Sequence, residues 1–200
     1  MKQILGAAAM VVVIASFTAC TSTNRLSRVT TSEAKGMISG WPAKTQEVAT
    51  TTMAKYGAPN EVTGTMLVWH NNGPWKKTII HKEPVQHNFP MQHLDLLEQF
   101  VDYSVPAGKY DQLALYDGSV VVARTVGEMS ARCDKEEANF LALNLAHDVA
   151  TGKRTVEEAR SYYARSIKEM MQGKMDPYLQ KLHFGAQGNT KFADQPAPGM

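Results

Sequence analysis

The stretch VTGTMLVWHNNGPWKKTIIHK, residues 62–82, decides the fold class of this 200-residue chain. Val62 to His70 reads as one strand and Trp75 to Lys82 as its partner, both rich in β-branched and aromatic residues. Asn71-Asn72-Gly73 lies between them, and such residues tolerate the positive φ of a tight hairpin turn. Trp69 and Trp75 flank the turn, placed for a cross-strand aromatic pair.

The neighbouring segments alternate helix and strand. Upstream, Pro42 opens a helix running to Tyr56, with Val48, Thr52 and Tyr56 along one side, and Gly57 and Pro59 stop it. Downstream, a Pro-bounded loop from Glu83 to Pro90 leads to an expected helix from Met91 to about Val105. Its apolar stripe is Met91, Leu94, Leu97 and Val101, with Asp95, Glu98 and Asp102 facing away. Gln112–Tyr116 and Ser119–Val126 read as a second hairpin around Asp117-Gly118. The last third is helical. Asp134 with Glu137, and Thr155 with Glu158, carry capping-box spacing. They predict a helical hairpin, about 134–151 against 155–172, and a short third helix at 176–183. The order predicts an α+β single domain: an antiparallel sheet of two hairpins packed with helices, closed by a C-terminal helical hairpin. Within it, the helix from Asp134 is apolar around most of its circumference, which marks it as the central spine.

The amino-terminal end carries a different signal. Lys2 precedes an apolar run from Ile4 to Phe17 that closes on Thr18 and Ala19, directly before Cys20. A basic tip, a short apolar stretch and small residues at the cleavage point form a secretory pattern over residues 1–19. Phe17-Thr18-Ala19-Cys20 resembles the lipobox of bacterial lipoproteins, in which Leu is commoner where Phe17 stands. The resemblance implies cleavage after Ala19, a diacylglyceryl thioether on Cys20 and an acylated amino terminus. The partner it implies is a membrane, held through the lipid on Cys20 and facing the periplasm. Thr21 follows where the family's inner-membrane retention signal has Asp, so the outer membrane is the expected location. Residues 20–36 are expected as lipidated Cys and flexible tether, 37–185 as the domain, and 186–200 as a disordered tail rich in Gly, Pro and polar residues.

Composition narrows the function classes. A formal net charge of +2 provides no basic stripe for nucleic acid. With Cys20 lipidated, Cys133 has no partner left for an internal disulfide, so the fold rests on its apolar core. His81, His87 and His93 recur at six-residue intervals, with Met91 among them. Imidazole and thioether suit copper, but the spacing matches no compact ligand motif. His147-Asp148 are helix neighbours about 100° apart and form no dyad. His147 is expected as a capped histidine of the core. Cys133 precedes a helix start, where a thiol's pKa falls, yet it lacks the surroundings of cysteine hydrolases. No residue set reads as catalytic, cofactor-binding or metal-ligating.

One further segment, Val48 to Lys76, runs helix, Gly57-x-Pro59 turn, strand, Trp69, strand. It is similar to the core unit of the SmpA/OmlA (BamE-type) small outer-membrane lipoproteins, which the resemblance implies act in outer-membrane protein assembly by binding. The expected function is therefore that of a lipid-anchored periplasmic protein binding other envelope proteins, with Trp69 and Trp75 as the candidate partner surface. The alternative is a small-ligand or metal-binding lipoprotein.

Overall fold

The computed structural model describes residues 29–185 and 187–199. The signal segment and Cys20 lie outside the described residues. The chain forms an α+β domain built on a six-stranded antiparallel sheet.

Helix α1 (Thr31–Met37) starts on a capping box between Thr30 and Glu33, inside the segment expected as tether. Buried Ala34, Ile38 and Trp41 attach it to the domain. Helix α2 (Ala43–Tyr56) follows Pro42 and ends at Gly57, whose φ of +78° suits a residue without Cβ. Strands β1 (Glu61–Val62), β2 (Met66–Asn72) and β3 (Trp75–His87) come next. The β2–β3 hairpin closes with Asn72 paired to Trp75, and positive φ falls at Asn71 and Gly73, as the turn chemistry requires. Strand β4 is His93–Asp102. A 3-10 turn at Ala107–Lys109 leads into α3 (Tyr110–Tyr116), then β5 (Val120–Ala123) and β6 (Glu128–Cys133). Helices α4 (Glu136–Ala150) and α5 (Val156–Met171) finish the body. The strand order is β1-β2-β3-β4-β6-β5.

Three expectations fail in secondary structure, and all shape the site: the loop expected from Glu83 to Pro90 is strand as far as His87, because residues 85–87 pair with β4. Residues 93–102 are a strand rather than part of a helix at 91–105. The segment is paired on both edges, by β3 and by β6, and its ladder outweighs a stripe that also fitted a helical period. Asp95 and Glu98, expected to face solvent, are buried. Residues 110–116 form a helix rather than a strand, so the second hairpin is β5–β6. It turns at Gly127, where φ is +71°.

Smaller departures follow from caps. Helix α4 has Lys135, not Asp134, at its N-cap, without a side-chain cap, because Asp134 turns to Lys44 Nζ at 3.3 Å. The Thr155–Glu158 capping box of α5 forms as its spacing predicts. The helix expected at 176–183 is a single 3-10 turn, Pro177–Leu179, capped by Asp176. The carboxyl-terminal segment packs rather than hanging free. Thr190 is buried, Arg124 pairs with Asp194 and lies over Phe192.

Helix α4 is the spine, with Leu141, Leu143, Leu145, Ala146 and Val149 fully enclosed. Its polar residues are consumed structurally. Asn139 Nδ2 donates to Leu97 O and Gln99 Oε1, and Asn144 Nδ2 to Tyr178 O and Lys181 O. One apolar cluster joins α3, α4 and α5 to β4, β5 and β6, and a second joins α1 and α2 to β2, β3 and β4. Among the described residues no helix is long and apolar enough to cross a membrane.

Candidate metal centre

The β3–β4 hairpin brings together residues that sequence spacing keeps apart. His87 and His93 are direct cross-strand partners, so their side chains stand on the same side of the ladder. Asp95 lies two residues beyond His93 on β4, and strand alternation returns it to that side. A register shift between Ile80 and Val85 around Pro84 brings Asp95 opposite Val85. The turn from α3 into β5 closes the site with Asp117 and Ser119. Asp117 Oδ1 accepts from the Ser119 amide at 2.9 Å. The loop between the histidines is held by Phe89, whose ring lies 5.2 Å from that of Tyr163 and 3.8 Å below the Arg160 guanidinium.

The ligand atoms of His87, His93 and Asp95 lie within 4.8 Å of one another. A tetrahedral zinc-type centre holds its donors roughly 3.4 Å apart, so small side-chain rotations bring the set onto one point. His93 Nε2 is 3.0 Å from Asp95 Oδ1, and His87 Nδ1 is 3.3 Å from Asp95 Oδ2. The Ser119 hydroxyl donates to Asp95 Oδ2 and sits 3.2 Å from His87 Nδ1. On its far side, His87 Nε2 is 3.7 Å from Asp117 Oδ1. Each imidazole thus has one nitrogen toward Asp95 and the other toward a positioning group. For His93 that group is the Met91 carbonyl, 2.8 Å from Nδ1. Outer contacts of this kind fix tautomer and ring orientation in metal sites.

Electrostatics mark the same place. Asp95 is only 4% exposed, and its Oδ1 takes no hydrogen bond among the described residues; the 3.0 Å approach of His93 lacks hydrogen-bond alignment. The Asp95 carboxylate and then the Cys133 thiol pull the His93 imidazole up to about 11, against burial. Burial pushes the Asp117 carboxyl up, a shift the Ser119 amide and His87 oppose. Burial also raises the Cys133 thiol, which His93 partly counters. Two buried carboxylates beside two imidazoles require positive charge among them, supplied by protons or by a cation.

The residues singled out from sequence fall elsewhere or divide. His81 is outside the cluster, with Nε2 2.8 Å from Glu98 Oε2. His147, expected in the core, is half-buried. Its Nδ1 lies 2.7 Å from the Tyr103 hydroxyl rather than a carbonyl or carboxylate, and its ring stacks on Phe184 at 4.9 Å. Burial, with Lys153 nearby, lowers its pKa. Trp69 and Trp75, expected as a partner surface, are 2% and 1% exposed. Trp69 Nε1 donates to Gly57 O at 3.0 Å and Trp75 Nε1 to Glu136 Oε1 at 2.6 Å, while Trp75 stacks on Phe140. The hairpin therefore presents no tryptophan face, because both rings fill the core under α2 and α4. Asp95, Asp117 and Ser119 were missed. The signal that finds Asp95 is alternation, His93-x-Asp95, visible once 93–102 is read as a strand. Asp117 and Ser119 carry no sequence signal beyond their turn chemistry.

No protein-family model, no curated protein and no solved structure matches the chain.

Proposed function

We propose that this chain is a metal-binding envelope lipoprotein, anchored through lipid on Cys20, whose domain holds a transition-metal ion between His87, His93 and Asp95. The observation that carries this reading is the unmatched, buried Asp95 Oδ1 facing a histidine nitrogen whose ring partner is already bonded. A bound cation satisfies both atoms at once and neutralises the buried carboxylates. Two imidazoles and one carboxylate suit borderline ions such as zinc, cobalt and copper, and leave a coordination position open. Asp117 and Ser119 act as orienting groups, holding His87 and Asp95. The anchored, outer-membrane part of the reading rests on the Phe17–Cys20 motif and the residues before it. Trp69 and Trp75 are buried and offer no exposed aromatic for a partner to bind.

Equilibrium dialysis of the detergent-solubilised full chain against zinc and cobalt tests the site. Wild type should bind one ion, and His93→Ala and Asp95→Ala should each lose at least ~100-fold in affinity, more than removal of an outer-shell partner costs. Binding unchanged in both variants rejects the reading.

A further inference from the structure

The structure extends this site on one side toward sulfur. Beyond His93 a cleft of about 220 Å³ is lined by Met91, Cys133, Met170 and Met171. Its outer rim is solvent-facing, with Met91 46% and Met171 67% exposed, while Cys133 is 6% exposed at the inner end. His93 joins the two halves: its Nε2 lies 3.0 Å from Asp95 Oδ1, and its ring lines the cleft with Cys133, which β6 places opposite Leu97 on the same face of the sheet. Exposed methionines cost solvation, and a cluster of them leading to a buried thiol and imidazole matches one class of ligand. Thioether is a soft donor that favours monovalent copper over zinc, thiolate accepts both, and carboxylate and water favour harder ions. The buried, unmatched Asp95 Oδ1 behind His93 supplies negative charge without adding a soft competitor.

Resting on the metal-site reading, we infer that the ion is cuprous copper, bound by His93 and Cys133 and reached through the Met91–Met170–Met171 cleft. On binding, the Cys133 S–H bond is replaced by S–Cu and the proton leaves to solvent. The ion arrives and stays as Cu(I), so no electron is transferred.

The test uses the full chain in detergent under anaerobic conditions. Cu(I) affinity is read by competition with bicinchoninate, zinc affinity by a chelating dye, and first-shell atoms by X-ray absorption of the copper-loaded wild type. Sulfur in the first shell is expected, and Cys133→Ser should weaken Cu(I) on the order of 100-fold or more while zinc changes only a few-fold. A shell of nitrogen and oxygen alone overturns the inference and leaves the metal site standing; this measurement needs no variant to fold. Equal losses of Cu(I) and zinc in Cys133→Ser likewise overturn the selectivity. Neither ion binding to wild type overturns both the inference and the reading beneath it.

Discussion

Two carboxylates three residues apart on β4 have opposite fates. Glu98 is fully occupied: Ser130 Oγ donates to Oε1 at 2.8 Å, and Arg132 and His81 meet Oε2 at 3.1 and 2.8 Å. Burial alone would raise its pKa, yet these partners bring it down from 4.5 to about 2. A carboxylate lower in the folded chain than in the unfolded one stabilises the fold above the unfolded value. That contribution is lost as pH falls from about 4.5 to 2. Glu98→Gln should therefore flatten this acid arm of the stability curve and cost about 1.5–3 kcal/mol at neutral pH, as for loss of charged hydrogen bonds. Urea unfolding at pH 3 and pH 7 checks both, and an unchanged pH profile contradicts the assignment. Asp95 keeps one oxygen, Oδ1, without a hydrogen bond among the described residues, which is why it, and not Glu98, marks a ligand site.

At the scale of elements, the legible parts were those with local signatures. The Asn71-Asn72-Gly73 turn, the Thr155–Glu158 box and the Gly57 stop each act within a few residues and can be read directly. Strand β4 could not be, because its identity comes from neighbours at both edges, while Leu94, Leu97 and Val101 follow a helical period. Misreading it separated His93 from Asp95 and hid the site. The docked tail was also illegible, since Gly, Pro and polar composition says nothing of a single close approach. A Cβ on Gly127 would lie 2.3 Å from Thr190 O, at a φ of +71°. Gly127→Ala should cost about 1 kcal/mol for the backbone conformation alone, and more with the tail in place. Deleting residues 187–200 should remove the excess, and thermal melts of the single and combined variants measure it. In α4, Asn144→Ala unmakes bonds to two carbonyls and to the His183 amide. It should destabilise by about 2–4 kcal/mol, given unsatisfied groups at roughly 1–3 kcal/mol each.

For the whole molecule, ion binding and folding are linked. The apolar clusters suffice to build the domain, so chelator should leave it folded while ion adds stability. At a free concentration 100 times Kd the gain is about 2.7 kcal/mol, roughly 5–10 °C in a chain of this length. A scan showing no shift with zinc or Cu(I) at saturation would contradict native-state binding. The hairpin geometry carries a kinetic consequence as well. His87 and His93 sit on adjoining strands with a short loop between them, and Asp95 follows at once, so the loop that must close is small and its entropy cost slight. Hairpins of this kind form in about 1–10 μs. A chain emerging across the membrane during export therefore has these three donors within reach of one another once residue 102 has emerged, before β6 brings Cys133 to them. Capture can precede completion of the domain, with the ion keeping His93 and exchanging His87 and Asp95 for the Cys133 sulfur as the sheet closes.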